Sequence, residues 1–324
     1  MQVFYSNPWI PVEWIKAHGL EPCGAWCATD LWRDLPALSA GVCPFAKSVC
    51  RLAATQTEPA MVLATTCDQM RRGFDAYLAD AGSRVFLFNI PATWQTPVAQ
   101  KVYRSEVERL GRFLERLGGH APSRQALRET MAQYSQARGQ LLAAMGCCSP
   151  RQFAEAVGWF HSHGSVTLNS SPREPRTDGV PLAVVGGPLL PSQWDLLEMI
   201  ETAGARVALN ATETGERSLL PSFDWEDSDD DPVGVLVRGY QESIVDAFQR
   251  PNNRLYAWLG QRLSSRRVRG IVLWVYTGCD LWRAEAQPLH ETFGLPVLLL
   301  ESDTTQGCTP RDVGRVQAFV ETLK

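Results

Sequence analysis

Hydrophobic positions along the chain fall into two kinds of pattern. Largely apolar runs of strand length occur at 60–65, 84–90, 180–185, 205–209, 271–276 and 296–300. Each is bounded by polar residues, glycine or proline, which predicts buried strands. Elsewhere apolar residues recur three and four apart, as at Val107, Leu110, Leu114 and Leu117, and predict amphipathic helices over 103–117 and 123–145. Shorter helices are predicted over 11–19, opened by Pro11 and closed by Gly19, and over 71–78, 150–160, 193–202, 282–293 and 312–323. A brief strand and turn fit 21–27, and a loop enters a helix across 41–50 with Pro44 in the first turn. Strand, helix, strand alternation is the signature of an α/β protein with parallel sheets.

The polar stretch 169–178 reads as a linker. It divides an N-terminal α/β domain with long connecting helices, 1–168, from a second α/β domain, 169–324. Two compact units suit a chain of 324 residues, which is longer than one core usually serves. The net charge of -4 gives no general attraction to nucleic acid or anionic lipid. The basic cluster at 262–269 reads as a helix end, and the acidic run 227–231 as a solvated loop lacking calcium-loop spacing. The N-terminal residues lack the basic start and apolar core of an export signal, and no apolar run reaches the length of a membrane span. The expected location is therefore the cytoplasm, where nine cysteines remain reduced.

Three of those cysteines share a context. Cys67 follows Met61-Val-Leu-Ala-Thr-Thr and Cys279 follows Ile271-Val-Leu-Trp-Val-Tyr-Thr-Gly. Both runs end in a Cys-Asp pair where a buried parallel strand should stop, the usual ligand-binding edge of such a sheet. Cys43 precedes Pro44, near a helix N-terminus whose unpaired amides favour thiolate charge. Cys50 falls two turns deeper and reads as core. Three converging thiolates would hold an iron–sulfur cube by three corners and leave its fourth iron open. Separate reduced cysteines in the core satisfy the same spacing.

The chain resembles the benzoyl-CoA reductase and 2-hydroxyacyl-CoA dehydratase superfamily, formerly described through the D-component of 2-hydroxyglutaryl-CoA dehydratase. The resemblance is carried by Pro11-Val-Glu-Trp-Ile-Lys-Ala-His-Gly, Val42-Cys-Pro-Phe-Ala-Lys-Ser, Ala64-Thr-Thr-Cys-Asp-Gln-Met-Arg-Arg and Phe88-Asn-Ile-Pro. A C-terminal block adds Arg269-Gly-Ile-Val, Gly278-Cys-Asp, Glu285, Gly294-Leu-Pro-Val, Leu300-Glu-Ser-Asp and Arg315-Val-Gln-Ala-Phe. The resemblance implies two flavodoxin-like or Rossmann-like domains with a central helical segment, and a 4Fe-4S cluster on Cys43, Cys67 and Cys279. It also implies a homologous subunit or self-dimer, a separate ATP-dependent iron–sulfur activator delivering a low-potential electron, and an acyl-CoA substrate. The activity implied is oxygen-sensitive radical dehydration of a 2-hydroxyacyl-CoA. Alternatives are benzoyl-CoA reductase-like acyl-CoA reduction and a noncatalytic electron-transfer or scaffold subunit. No cysteine occurs in 207–215, where relatives with a double-cubane cluster carry one, so one ordinary cube is implied. The tail Gly307-Cys-Thr-Pro-Arg-Asp-Val-Gly-Arg departs from the family pattern and makes Cys308 a candidate fourth ligand.

A dehydratase also needs a proton-transfer group. Glu13 on the first helix is one candidate, against a plainer reading as a surface carboxylate. His161 and His163 are others, since an imidazole titrates in the right range; without a third ligand nearby they make a poor zinc site. Asp68 and Asp280 are expected to shape the cysteine loops rather than to ligate. The loops at 93–96 and 186–191, with Trp26 and Trp94, are candidates for contact with the acyl group or pantetheine. Cys23 and Cys27 lie one residue too far apart for a thioredoxin-like pair, and the adjacent Cys147 and Cys148 are too strained for a disulfide.

Overall fold

A computed structural model describes residues 1–27, 41–55, 60–77, 84–167, 178–225 and 230–324. The first sheet contains β1 (Gln2–Tyr5), β2 (Glu21–Gly24), β3 (Ala60–Ala64) and β4 (Val85–Phe88). The second contains β5 (Val180–Gly186), β6 (Ala205–Thr212), β7 (Gly270–Tyr276) and β8 (Val297–Ser302). Each is wholly parallel, in the orders β2-β1-β3-β4 and β6-β5-β7-β8. In both, the chain starts beside the middle, moves outward and returns across the first strand, the flavodoxin-like order with its switch point between first and third strands.

The solid apolar runs are the strands covered on both faces. Every residue of β3 and of β7 is buried. Along the second sheet the pleat sorts the side chains. Leu182, Val184, Val272 and Trp274 pack in one core, while Ala183, Val185, Ile271 and Leu273 pack in the core opposite.

Helices α1 (Val12–Ala17), α2 (Pro44–Thr55) and α3 (Asp68–Tyr77) belong to the first unit, followed by α4 (Pro97–Arg116), α5 (Arg124–Ala144) and α6 (Pro150–His163). The last three begin where side chains satisfy free amides. Thr96, Ser123 and Ser149 accept from the backbone of Ala99, Ala126 and Gln152. The stripe expected on α4 is buried at Val107, Leu110 and Leu114.

In the second unit lie α7 (Asp195–Thr202), α8 (Pro232–Ser243), α9 (Asn253–Ser265), α10 (Asp280–Arg283), α11 (Ala286–Phe293) and α12 (Pro310–Thr322). The helix expected over 282–293 is two helices. Pro288 has no N–H to give the carbonyl of residue 284, so a new helix starts just before it. The linker expected at 169–178 lies, except for its last residue, outside the described residues, as does most of the acidic run 227–231. Asp231 itself is the cap of α8, accepting from Gly234 N at 3.1 Å and pairing with Arg104 of α4. Helix α8 packs on α4 and α5, and Val235, Leu236 and Tyr240 join the first core. Among the described residues, no helix is long and apolar enough to cross a membrane.

One glycine sets the geometry where β5 leaves its sheet. Gly186 has φ +137°, and a Cβ there would lie 1.9 Å from the carbonyl oxygen of Trp274 on β7. Gly186→Ala is expected to cost at least about 2 kcal/mol, through backbone strain and overlap. Urea unfolding followed by tryptophan fluorescence measures it.

Candidate functional site

The carboxyl ends of strands from both sheets border one cavity of about 300 Å³. Ser6 and Asn7 come from the end of β1, Thr65 to Cys67 from the end of β3, Gly187 and Pro188 from β5, Glu213 from β6, and Tyr276, Gly278 and Cys279 from β7. This is the edge at which parallel sheets bind ligands. Phe45, Ala46, Met70, Phe248, Leu281 and Trp282 make much of the wall apolar.

Cys43, Cys67 and Cys279 all line this cavity. Each stands just before a helix, in the place where a serine or aspartate cap would stand. The sulfur of Cys43 accepts from Ala46 N and that of Cys67 from Met70 N, both at 3.4 Å, whereas Cys279 holds the cap position of α10 without a side-chain hydrogen bond. Gln69 ties two of the loops together by accepting from Cys43 N at 2.9 Å. Gly278, at φ +84°, brings the third loop close, because a Cβ there would lie 3.9 Å from the Cβ of Cys43.

Burial pushes all three thiols upward, Cys279 to about 12, and proximity to Cys43 raises both Cys67 and Cys279 further. Metal binding at these sulfurs therefore has to release protons. Among the described residues no three His, Cys, Asp or Glu side chains close on a point as one ion would require. Three soft donors spaced round a cavity, two of them already receiving an N–H, fit a multi-atom iron–sulfur cluster.

The remaining cysteines lie elsewhere. All nine are free thiols. Cys50 is fully buried beside Gly73. Cys308 packs in a core of the second sheet, its N–H donating to Asp195 at 3.1 Å, and is absent from the cavity wall.

The expected proton-transfer residues are not at the cavity. Glu13 is fully buried rather than on the surface. It accepts from Arg138 Nη1 and from the Tyr240 hydroxyl, each at 2.6 Å. His161 is buried between the Tyr5 hydroxyl at 2.7 Å and Ser218 Oγ at 2.8 Å, whereas His163 is more exposed and stacks on Trp159. Neighbours two apart on a helix face different ways, so this pair never acts as one. Trp26 packs on Tyr5 and His161, and Trp94 donates to Pro251 O beneath Arg254. Asp68 and Asp280 stand exposed at the cavity rim.

Burial, with a smaller contribution from Arg138, pushes His161 down to about 3 from its ordinary 6.5. The unfolded chain thus holds one more proton than the folded protein between those values. Stability from this group is whole above about pH 6.5 and is lost as pH falls toward 3, at up to ~1.4 kcal/mol per pH unit. Urea midpoints measured across this window should fall more steeply for the natural protein than for His161→Gln.

Sequence reasoning did not single out Glu213, Asp246 and Arg217, which lie together beside the cysteines. Arg217 is buried and gives its hydrogens to Asp246 Oδ2 at 2.7 Å and to the carbonyls of Gly186, Ala211 and Val245 at 2.6–2.8 Å. Glu213 Oε1 accepts from Asn7 Nδ2 at 2.7 Å. Burial, then the nearby Asp246, raise the Glu213 carboxyl well above the usual carboxylate range.

Comparison with protein families gives a match over residues 9–323 to the model for 2-hydroxyglutaryl-CoA dehydratase, D-component. No curated protein matches the chain.

Proposed function

We propose a function from one premise: the chain belongs to the 2-hydroxyglutaryl-CoA dehydratase D-component family. It is a dehydratase-type enzyme component. In our reading it is the cytoplasmic iron–sulfur subunit of a 2-hydroxyacyl-CoA dehydratase-like enzyme, with Cys43, Cys67 and Cys279 holding a 4Fe-4S cluster. The observation that carries this is the meeting of three cysteines, two from the first domain and one from the second, in a single cavity. When bound, such a cluster supplies a low-potential electron and a Lewis-acidic iron.

The protein's own residues prepare the place. The apolar wall of Phe45, Met70, Phe248 and Trp282 keeps water from a reactive centre. Backbone N–H groups directed at the sulfurs favour their anionic form. An acyl-CoA thioester would enter past Arg71, which stands at the rim and is steadied by Thr65 O at 3.2 Å. The electron would come from an ATP-dependent activator, and a homologous chain or a second copy would complete the enzyme. Cys308 is not among the residues that line the cavity, which disfavours a closed, noncatalytic cube.

Anaerobic purification with its partner, followed by iron and sulfide analysis and assay with activator, ATP and 2-hydroxyglutaryl-CoA, tests the proposal. Cluster binding with enoyl-CoA formation is expected. Reduction of an aromatic acyl-CoA without dehydration would replace the reaction, and protein without iron would refute the whole reading.

A further inference from the structure

Besides Asp68 and Asp280 at its rim, the cavity is lined by two carboxyl groups with unequal partners. Asp246 has the buried cation Arg217 at 2.7 Å and also accepts from Phe248 N at 3.0 Å. Glu213 has the neutral amide of Asn7. Its backbone N–H is fixed on Gly187 O at 3.2 Å, so the carboxyl is held at the end of β6 facing the cysteines. One carboxyl is thus tied as an anion in an ion pair, and the other is left without a committed cation. Two such groups with opposed environments divide the acid and base assignments of a site.

We propose that Glu213 is the proton-transfer residue of this cavity, an assignment that rests on the dehydratase reading. As an acid it gives its proton to the hydroxyl leaving C2 of the 2-hydroxyacyl thioester. The C–O bond breaks, that oxygen departs as water, and the carboxylate then takes the proton lost from C3. The C3–H electron pair becomes the new double bond, and Glu213 ends as it began. The electron from the low-potential donor is returned, not consumed.

The two buried candidates from the sequence, Glu13 and His161, do not compete for this role. Glu13 is locked between Arg138 and Tyr240, and His161 between Tyr5 and Ser218. The elevated affinity of Glu213 for its proton agrees with the assignment. The groups facing it are Asp246, Arg217, the three thiols and the Tyr276 phenol, and the last stays protonated because burial raises it.

The test uses full chains carrying Glu213→Gln and Glu213→Asp, reconstituted anaerobically with iron and sulfide beside the natural protein. Iron and sulfide content should match in all three. An infrared carboxylic-acid band seen near neutral pH should vanish in Glu213→Gln. With partner, activator and 2-hydroxyglutaryl-CoA, kcat should fall about 10²- to 10⁴-fold in Glu213→Gln while KM stays within about threefold, and Glu213→Asp should recover part of the rate. Unchanged kcat, a band that persists in Glu213→Gln, or loss of the cluster from that variant would overturn the assignment alone. Natural protein that took up no iron would sink the dehydratase reading and this inference together.

Discussion

Serine in place of Cys67 is expected to strip anaerobically prepared protein of most of its iron and sulfide and to lower dehydration at least about a hundredfold. The substitution is the most selective available. Serine caps a helix as well as any residue, so the amide of Met70 keeps an acceptor and α3 keeps its start. What changes is donor softness, since a hydroxyl oxygen is a poor ligand for iron in a sulfide cube. Cys67 is also the thiol influenced by both Cys43 and Cys279, as expected for the member that links the two domains' contributions. Urea unfolding of the metal-free variant should stay within about 1 kcal/mol of the natural protein. Cys308→Ser should retain full iron, because that sulfur lies in the second sheet's core beside Asp195. Equal iron in Cys67→Ser and the natural protein would rule out the three-cysteine site.

The second large effect is on stability. Glu13→Ala should cost about 3–5 kcal/mol, read as a lower urea midpoint at unchanged slope. Glu13 and Arg138 have 0% and 1% side-chain exposure and meet at 2.6 Å, so removing the carboxylate strands a guanidinium out of water. The Tyr240 hydroxyl and the N–H of Val12, which donates to that hydroxyl, lose order as well. Among the described residues, two nitrogens of Arg138 already lack a partner, so none of these offers it an alternative acceptor. Replacing the pair together by Glu13→Leu and Arg138→Met should recover most of the loss, because apolar groups of similar size remove the unpaired charge. Near-normal stability of Glu13→Ala would mean that the carboxylate is not the anchor of this network.

How far these features were legible in the sequence depends on the distance over which each is decided. The strands β3 and β7 and the stripe on α4 are local patterns, and their apolar spacing marked them out. Strand β1 escaped notice because Val3, Phe4 and Tyr5 make too short a run, although it lies at the centre of the first sheet. Helix α8 was hidden by the acidic run before it, whose last member turned out to be a cap. Cys67 and Cys279 stood out because strand ends are legible and each carried a soft ligand, whereas Cys43 was marked by the helix that opens at Pro44. Glu213 carried no local signal: its partner Asn7 is 206 residues away, and the meeting of the two sheet edges alone makes it a neighbour of the cysteines. The same reason misdirected the reading of Glu13, whose partner Arg138 lies 125 positions along. A lone carboxylate on an early helical turn reads as surface until the helix that covers it is in view.

The central claim is that sulfurs from both domains grasp one inorganic cluster. Anaerobic crystals of the reconstituted protein, measured on either side of the iron absorption edge, test it directly. Iron density enclosed by Cys43, Cys67 and Cys279 is expected, with one iron free of any protein sulfur. Iron bound instead at Cys147 and Cys148, or a cavity with these three thiols and no iron among them, would contradict it.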